Sequence, residues 1–552
     1  MTSWKPMINP ASPCLTITLV QQNYMLGDIV HNAKQIADAI TQIQAQHPTS
    51  LIVFPELSLT GYPPEDLLLR PDFLQKTQQA LMQLAQQVDS AYAIVGAPIK
   101  RHNHLYNMAC VLHEGRIIAQ YAKQHLPNYS VFDEKRYFTP GDQACVIDIQ
   151  GYQVALTICE DLWQTGPLQQ SYQRDAQLIV CLNASPFHLQ KPQQRLAILR
   201  KQQQIEGALP IVYVNLVGGQ DELVFDGNSM VVDAQGQLVA QCQSFVPDQK
   251  TITFHANTGW QTPASSPSPS STLDEIYQAL VLGTRDYVQK NHFSSVLLGL
   301  SGGIDSALTL AIAVDALGSE HVHAVMMPSR YTSDISLTDA KQLAQTAEVH
   351  YQVIAIEPIF ESLLTALDPL FTNHSTDVTE ENLQSRIRGI LLMALSNKLG
   401  HLVLSTGNKS EMAVGYATLY GDMVGAFAVL KDISKTLVYQ LANHRNQLSA
   451  LIPQRIIDRP PSAELATNQT DQDRLPPYDV LDPIMIGYVE HNQSIDELVM
   501  QGFDRHTVEQ VIDLIQHNEY KRRQAPPGVR ISKRAFGRDW RFPITVIGGQ
   551  YT

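Results

Sequence analysis

Long apolar runs, an excess of basic residues and paired cysteines are all missing from this sequence, and each absence excludes a class of protein. No apolar stretch reaches the roughly 18 residues of a membrane-spanning helix. With 53 acidic and 39 basic residues the formal net charge is −14, whereas a nucleic-acid-binding protein would carry a basic surface. The six cysteines show no CxxC spacing of the metal-binding kind. The first residues, MTSWKPMINPASPC, lack the apolar core of a signal peptide, so we expect a reduced cytoplasmic protein with free thiols.

The length and one polar segment predict two domains. A chain of 552 residues is too long for one ordinary hydrophobic core. Residues 261–273 read QTPASSPSPSSTL, carry no charge and have too little apolar surface to fold, which is typical of a linker. A long surface loop inside one domain is the alternative, and it is disfavoured because each half has its own series of strands and helices. We therefore predict domains at 1–260 and 274–552, joined by a linker at 261–273.

Apolar runs in the first half predict an α/β domain with antiparallel additions. The predicted strands are 16–20, 51–54, 91–97, 154–159, 178–183 and 211–217, and helical periodicity lies around 27–45, 72–88 and 191–207. The stretches 107–123 and 230–242 alternate around turn residues and predict hairpins.

The second half predicts a different α/β architecture. Four apolar runs separated by helical stretches lie at 296–300, 322–327, 351–356 and 402–406. Strands that alternate with helices in this way favour a mostly parallel, doubly wound sheet of the Rossmann-like type.

Three polar residues at strand ends in the first half form a workable amidase set. Glu56 follows the run LIVFP, Cys159 closes VALTIC, and Lys123 follows the strand of the first hairpin. A thiolate can attack an amide carbonyl while a carboxylate moves the proton and an ammonium stabilises the oxyanion. The nearby lysine would also favour the thiolate. The alternative is a small buried hydrophobe at each cysteine, which we assign to Cys110, Cys145 and Cys181.

Several sequence motifs around these residues resemble those of one family. FPELSLTGY, YAKQHLPNYSVFDEKRYFTPG, ICEDLW and NASPF are similar to the nitrilase-superfamily amidase domain in the version found in glutamine-dependent NAD synthetases. The resemblance implies a nitrilase-like α-β-β-α sandwich. It also implies that Glu56 is the proton acceptor, Lys123 the oxyanion stabiliser and Cys159 the nucleophile that becomes a γ-glutamyl thioester.

The same resemblance implies a glutamine site. It assigns glutamine binding to Tyr129, Ser185 and Lys191. A bound glutamine brings one carboxylate and one ammonium, and both must be paired when they are buried. Glu134 matches a second acidic position near the catalytic set, and a structural salt bridge is an equally open role for it.

The stretch LGLSGGIDSALTLAIAV, residues 298–314, predicts a nucleotide site in the second half. Gly302 and Gly303 allow a sharp turn that brings backbone N–H groups close to an anion at the start of a helix. The stretch lacks the Walker pattern and instead contains SGGxDS, the loop of ATP pyrophosphatases. Ser301 and Ser306 can donate to phosphate oxygens, and Asp305 is suited to hold Mg²⁺. A purely structural turn is the alternative.

The resemblance to glutamine-dependent NAD synthetases continues through this half, in ENLQSRIRG, STGNKSE, RPPSAEL and NEYKRRQAPPG, and spans roughly residues 10 to 545. It implies ATP binding, deamido-NAD binding and a magnesium site. For Lys435 and Lys521 the alternative is a solvated surface position, because charged side chains are mostly exposed. The implied ATP residues are Gly299, Leu300, Ser301, Gly302, Gly303, Ile304, Asp305, Ser306, Thr406 and Lys435, the deamido-NAD residues are Asn382, Glu411 and Lys521, and the metal ligands are Asp305 and Glu411.

Three further positions in these words carry weaker expectations. Arg386 and Arg388 are two apart on a predicted helix, so at most one is expected in the site. Ser462 is expected to make at most a weak ATP contact. The tail 546–552 carries no motif.

The resemblance implies a complete reaction. A glutamine-dependent NAD synthetase amidates deamido-NAD with ammonia released from L-glutamine, using ATP and Mg²⁺ through an adenylated intermediate, and yields NAD, AMP and pyrophosphate. A homo-oligomer and an internal path for ammonia are expected. One alternative is an amidotransferase for another adenylated acceptor, because SGGxDS also occurs in GMP and asparagine synthetases. The other is a binding or regulatory protein that has lost catalysis, against which the intact Glu56, Lys123, Cys159 and Asp305 argue.

Overall fold

The computed structural model describes residues 14–255, 259–261, 270–372, 374–467 and 469–545. The chain divides into two compact units: one holds residues up to 220 and from 224 to the end of the last strand before the linker, and the other holds 221–223 and the described residues from 270 onward. Residues 262–269 of the predicted linker and the tail 546–552 lie outside the described residues. On either side of 262–269, a strand ends at Gln261 and a helix begins at Thr272.

The described residues of the first unit form strands with four α-helices between them. Its strands are β1 Leu15–Gln21, β2 Leu51–Val53, β3 Tyr92–Arg101, β4 His104–His113, β5 Arg116–Ala122, β6 Cys145–Ile149, β7 Tyr152–Ile158, β8 Leu178–Asn183, β9 Ile211–Asn215, β10 Val217–Gln220, β11 Leu223–Asp226, β12 Met230–Val232, β13 Leu238–Gln241, β14 Asp248–His255 and β15 Gly259–Gln261. Its helices are α1 Ile29–Gln46, α2 Pro71–Ala85, α3 Pro167–Tyr172 and α4 Lys191–Glu206.

Two sheets packed face to face form the core of this unit. The strand orders are β15-β14-β1-β2-β3-β4-β5 and β13-β12-β9-β8-β7-β6, with β1, β2 and β3 parallel in the first and β7, β8 and β9 parallel in the second. One apolar cluster takes residues from both sheets, including Leu19 and Ile94 from the first and Leu156 and Val180 from the second. Strands buried on both faces need apolar side chains at nearly every position. For this reason the strands could be predicted from apolar runs in the sequence.

Helices cover the outer faces of the two sheets. In α1 the buried Ile36, Ile40 and Ile43 recur at helical spacing and form a single apolar stripe. On the other side, Leu168 of α3 and Leu199 of α4 pack into a second cluster with the outer face of β8. The predicted α-β-β-α sandwich is therefore confirmed.

The second unit alternates short strands with helices. Its strands are β16 Val296–Gly299, β17 Val322–Met326, β18 His350–Val353, β19 Leu402–Ser405 and β20 Phe427–Ala428. Its helices are α5 Thr272–Lys290, α6 Ile304–Leu317, α7 Asp334–Thr346, α8 Glu357–Phe371, α9 Val378–Leu399, α10 Lys409–Val414, α11 Lys435–Leu448, α12 Gln454–Asp458, α13 Tyr478–His491, α14 Ile495–Met500, α15 Arg505–His517 and α16 Glu519–Arg522.

The five strands form one parallel sheet in the order β18-β17-β16-β19-β20. This confirms the predicted doubly wound architecture. The order reverses between β16 and β19, and ligands of such sheets bind where the strands on either side of the reversal end. The loops after Gly299 and Ser405 leave the sheet at that edge. Across the described residues, no helix combines the length and the apolar character needed to cross a bilayer.

Candidate active sites

A buried ion network in the first unit joins three of the predicted residues. The Lys123 Nζ lies 2.7 Å from Glu56 Oε1 and 2.8 Å from Glu134 Oε1. Glu56 follows β2, Lys123 follows β5, and Glu134 begins a short 3₁₀ turn, so three separate segments supply the network. Glu56 and Lys123 are each 1% exposed, so each depends on the other for compensation of its charge.

Further hydrogen bonds fix the two carboxylates. The Asn107 side-chain amide donates to Glu56 Oε1 at 2.7 Å, and the Ala184 N–H donates to Glu56 Oε2 at 2.9 Å. The Tyr62 hydroxyl donates to Glu134 Oε1 at 2.9 Å. Burial would lower the pKa of Lys123, but Glu134 and Glu56 raise that pKa well above its usual value, so the ammonium is retained. Burial raises the pKa of Glu134 to about 7, against the opposing effect of Lys123.

Cys159 lies in a turn rather than in a strand. The prediction that it closes the strand is wrong by one residue, because β7 ends at Ile158 and a 3₁₀ turn begins at Cys159. The Cys159 φ is +42°, in the left-handed region that residues with a side chain rarely adopt. Strained backbone of this kind is concentrated at active sites.

The electrostatic surroundings of this thiol act in opposite directions. Burial and the Glu56 carboxylate raise the pKa of Cys159 well above its usual value. Lys123 lowers that pKa, as its charge predicts, but does not reverse the rise, because two carboxylates share its ammonium. The thiol therefore needs a nearby base to take its proton as the sulfur attacks.

The three predicted glutamine residues fall into two groups. Tyr129 donates from its hydroxyl to Glu160 Oε2 at 2.9 Å, and Lys191 Nζ lies 3.8 Å from the centre of the Trp163 ring. Tyr129 therefore contacts the turn that begins at Cys159, and Lys191 contacts the residue that directly follows that turn. Ser185 is placed differently: its N–H donates to Asn215 Oδ1 at 2.9 Å, and its hydroxyl accepts from Arg195 Nε at 3.2 Å.

Arg195 was not found from the sequence. Its guanidinium donates to both oxygens of Asp226 at 2.8 and 2.7 Å and to the Ser185 carbonyl at 2.7 Å. An arginine in a helix usually predicts a solvated face, yet Arg195 is 1% exposed. The spacing of Arg195 and Asp226 in the sequence gives no signal of this pairing.

Cys181 is a control for the cysteine assignment. It is fully buried in β8, faces the helix side of its sheet, and its Sγ lies 3.3 Å from Asn183 Oδ1. We expect Cys181→Ala to lower the free energy of unfolding by about 1 kcal/mol, because it removes one buried sulfur. Denaturant unfolding would measure that change, and hydrolysis of glutamine, the reaction that the resemblance implies for this domain, should keep its wild-type rate. A large loss of that rate in a folded variant would mean that Cys181 takes part in the chemistry.

The SGGxDS loop of the second unit has the conformation that its glycines predict. Gly302 has a φ of +81°, and a Cβ at this position would lie 2.5 Å from the Ser336 carbonyl oxygen. The Ser301 hydroxyl accepts from the Gly303 N–H at 3.2 Å, and the Ser306 hydroxyl accepts from the Ser301 N–H at 3.3 Å. The loop is thus a compact turn with polar groups at the start of α6.

A cavity of about 460 Å³ lies over this loop. Every residue predicted for ATP, deamido-NAD or metal binding lines it: Gly299, Leu300, Ser301, Gly302, Gly303, Ile304, Asp305, Ser306, Asn382, Thr406, Glu411, Lys435 and Lys521. Arg388 and Ser462 also line the cavity, whereas the Arg386 Nε donates to the Leu419 carbonyl at 3.2 Å. The volume is in the range of small-molecule and cofactor sites.

One lysine and two carboxylates form the charged centre of this cavity. Lys435 Nζ lies 2.5 Å from Asp305 Oδ2 and 3.1 Å from Glu411 Oε1. The Asn408 side-chain amide donates to Asp305 Oδ1 at 2.9 Å. Burial would lower the pKa of Lys435, but Asp305 and Glu411 raise it well above its usual value. Burial raises the pKa of Glu411 to about 7, against the effect of Lys435.

Two further polar side chains, Asn382 and Lys521, line the cavity. The Asn382 Oδ1 accepts from the Thr418 hydroxyl at 2.8 Å. Lys521 donates to the carbonyls of Gly415 and Ala417 at 2.7 and 3.0 Å, and burial lowers its pKa. Neither Lys521 nor Lys435 is therefore a fully solvated surface lysine.

The cavity wall also contains residues for which no role was predicted, among them Glu464, Arg459 and Asp471. Glu464 accepts from the Ser336 hydroxyl at 2.8 Å and pairs with Arg459. Asp471 accepts from the Tyr478 hydroxyl at 2.8 Å. Arg459 and Glu464 lie in the motif RPPSAEL. The family resemblance therefore included this segment but assigned no role to these two side chains.

Each of the two units matches a known protein family. The carbon-nitrogen hydrolase family model matches residues 16–254, and the NAD synthase family model matches residues 276–525. The glutamine-dependent NAD(+) synthetase of Acinetobacter baylyi is 49% identical over 534 residues, which is 96% of this chain and 98% of that protein. This chain belongs to the glutamine-dependent NAD(+) synthetase family.

Solved structures of the family have the same fold. A glutamine-dependent NAD(+) synthetase from Acinetobacter baumannii, in complex with adenosine diphosphate, is 45% identical and has a TM-score of 0.78 over 96% of this chain and 98% of its own. A second, from Cytophaga hutchinsonii, is 21% identical with a TM-score of 0.84 over 97% of this chain and 98% of its own, which shows the fold alone. The family resemblance predicted from the sequence words is confirmed.

Proposed function

We propose that this chain is an NAD synthetase that hydrolyses glutamine: it amidates deamido-NAD with ammonia from L-glutamine and consumes ATP. The observation that carries the proposal is the presence of two separate sites in one chain of this family. One is the buried Glu56–Lys123 pair beside Cys159, and the other is the cavity over the SGGxDS loop with Lys435 and Asp305. We assign the first activity to residues 1–260 and the second to residues 274–552.

The glutaminase reaction follows from the first set of residues. The Cys159 sulfur attacks the side-chain carbonyl of glutamine, and its proton passes to the Glu56 carboxylate as the C–S bond forms. Lys123 stabilises the negative charge that develops on the carbonyl oxygen. The amide nitrogen takes a proton and leaves as ammonia, and water then hydrolyses the γ-glutamyl thioester to glutamate. Tyr129, Ser185 and Lys191 are assigned to hold the glutamine.

Glu134 has a clear place in this scheme. Its Oε1 lies 2.8 Å from the Lys123 ammonium, which Glu56 also contacts, and it accepts a hydrogen bond from the Tyr62 hydroxyl. We therefore assign it to orienting Lys123 rather than to a salt bridge remote from the chemistry.

The synthetase reaction follows from the second set. The nicotinate carboxylate of deamido-NAD attacks the α-phosphorus of ATP, and pyrophosphate leaves. Ammonia then attacks the acyl carbonyl, and AMP leaves to give NAD. Activation is needed because a free carboxylate is a poor acyl donor. Residues Gly299 to Ser306, with Thr406, are assigned to ATP, and Lys435 to the charge that develops as pyrophosphate leaves. Asn382, Glu411 and Lys521 are assigned to deamido-NAD.

Asp305 and Glu411 fit a magnesium ion. Mg²⁺ in such sites is held by one or two carboxylates together with substrate phosphates, so two carboxylates suffice. No cluster of three or more His, Cys, Asp or Glu side chains suited to a metal occurs in the described part of the chain. The carboxylates of Asp305 and Glu411 are both paired with the single ammonium of Lys435. When both carboxylates are ionised, one negative charge is left uncompensated, and a bound cation would neutralise it. When bound with ATP, the ion would neutralise charge on the phosphates.

Three properties complete the proposal. Ammonia in water is protonated and diluted, so we propose that it passes between the two sites without release to solvent. We also propose a homo-oligomer, at least a dimer through the synthetase domain. All six cysteines are free, which agrees with a cytoplasmic location.

Lys521→Met tests the dinucleotide assignment. Loss of one charged hydrogen-bond donor to the ligand removes about 1.5–3 kcal/mol, so the KM for deamido-NAD should rise by roughly 10- to 100-fold. Steady-state kinetics with varied deamido-NAD would measure it, with Lys521→Arg as the charge-conserving comparison. Glutamate release from glutamine should stay at the wild-type rate. An unchanged KM for deamido-NAD would remove Lys521 from the site.

The proposed function as a whole is tested by acceptor choice. The purified chain with ATP, Mg²⁺ and deamido-NAD should form NAD with either glutamine or ammonium as the nitrogen donor. Xanthosine monophosphate and aspartate, the acceptors of GMP and asparagine synthetases, should give no product. Amination of either one, with deamido-NAD inert, would replace this proposal with the other amidotransferase function.

A further inference from the structure

The buried carboxylate of Asp161 contacts the two chain segments that carry Lys123 and Cys159. Asp161 is fully buried, two residues after Cys159, in the 3₁₀ turn Cys159–Leu162. Its Oδ1 accepts from the N–H groups of Gln124 and His125 at 3.0 and 2.8 Å. Its Oδ2 accepts from the Ile158 N–H at 3.0 Å and the Tyr121 hydroxyl at 2.7 Å.

These four donors bracket the reacting groups. Tyr121 precedes Lys123 by two residues and Gln124 and His125 follow it, so the carboxylate holds the chain on both sides of the lysine. Ile158 immediately precedes Cys159, so the same carboxylate also holds the end of the strand from which the nucleophile projects. One side chain thus links the Cys159 turn to residues that precede Asp161 by 36 to 40 positions, and the two segments meet at the glutamine carbonyl in the proposed mechanism.

We propose that Asp161 is a positioning residue for glutamine hydrolysis: its carboxylate fixes the Cys159 turn relative to the Lys123 segment. The inference rests on the proposed glutaminase function. Its physical basis is that attack on the amide needs the sulfur and the oxyanion stabiliser in a fixed geometry. A displacement of about 1 Å can cost about 100-fold in rate. The strained φ of Cys159 needs such external support, because the left-handed backbone would otherwise relax.

Only an ionised carboxylate suits all four donors. An asparagine has the same shape, but its NH₂ group would face donors in place of one oxygen. Asp161→Asn therefore breaks the two hydrogen bonds at one oxygen, either those on the lysine side or those on the cysteine side. Tyr121→Phe is milder, since it removes the hydroxyl bond and leaves the three backbone donors in place.

The test measures both nitrogen donors. For Asp161→Asn we expect kcat with glutamine to fall by about 100-fold, with the KM for glutamine changed by less than about threefold. NAD synthesis from ammonium should keep its wild-type kcat. Tyr121→Phe should lower the glutamine kcat by about three- to tenfold, in line with the loss of one hydrogen bond to a charged group. The matched control is Asp148→Asn, at an exposed carboxylate near the end of β6 that accepts from the Gly151 N–H at 3.0 Å, and it should match wild type.

The outcomes separate positioning from general stability. A wild-type glutamine kcat in both Asp161→Asn and Tyr121→Phe overturns the inference. So does a loss in which the KM for glutamine rises in step with the fall in kcat, since that pattern indicates a disordered site. If Asp161→Asn does not fold, Tyr121→Phe decides by the same kcat criterion. Failure of the proposed function looks different, because the wild-type chain itself would then release no glutamate from glutamine.

Discussion

Cys159→Ala is expected to abolish NAD synthesis from glutamine while synthesis from added ammonium continues at the wild-type rate. The thiol is the only group in the scheme that forms a bond to glutamine, so its loss should lower the glutamine-dependent kcat by at least about 10⁴-fold. The adenylated intermediate needs only a free amine, and the cavity of the second unit is untouched by this change. Steady-state NAD formation with each donor would measure the split.

Glu56→Ala and Lys123→Ala should show the same split, because base, oxyanion stabiliser and nucleophile act as one unit. Removal of Lys123 leaves two buried carboxylates without their cation, and removal of Glu56 leaves Lys123 with Glu134 alone, so some loss of stability should accompany the loss of rate. Cys159→Ala lacks that complication and is the cleaner variant. Full glutamine-dependent activity in Cys159→Ala would contradict the assignment. Equal loss with both donors in a folded protein would instead make Cys159 a structural thiol.

Asp305→Asn is expected to remove NAD formation from either nitrogen source. The change takes one negative charge from the centre where Asp305 and Glu411 share Lys435, and with it a proposed magnesium ligand. The adenylation rate should fall by at least about 100-fold, as for the loss of one strong electrostatic contact to a developing charge. The thioester reaction lies in the other domain and should continue.

Two readouts would establish this result. NAD formation would be followed with both donors, and acylation of Cys159 by glutamine would be detected by mass spectrometry of the intact protein. Asp368→Asn, an exposed aspartate in α8 of the same unit, is the matched control and should behave as wild type. Normal ammonium-dependent synthesis by Asp305→Asn would remove Asp305 from the active site.

Much of the fold was predictable because its strands are buried on both faces. Runs such as LIVCLN in β8 have an apolar side chain at nearly every position, which a surface strand would not tolerate. The turn of the SGGxDS loop was equally predictable, because only glycine suits position 302, where φ is positive and there is no room for a Cβ. These local requirements leave a direct mark on the sequence.

Interactions between distant segments were not predictable in the same way. The Arg195–Asp226 pair and the four donors around Asp161 depend on chain segments that only the tertiary fold brings together. The turn at Cys159 and the rise in its thiol pKa depend on burial and on Glu56, which sequence spacing does not encode. The sequence motifs indicated which residues lie at each site, but not which of their charged groups pair with one another.

Transfer of the amide nitrogen is the central claim, and isotope labelling tests it most directly. The purified chain would be given ATP, Mg²⁺, deamido-NAD and glutamine labelled with ¹⁵N in the side-chain amide, and the product examined by mass spectrometry. The account predicts NAD with the label in its carboxamide, and one AMP and one pyrophosphate for each NAD formed. Unlabelled NAD, no NAD, or cleavage of ATP to ADP and phosphate in place of AMP and pyrophosphate would contradict it.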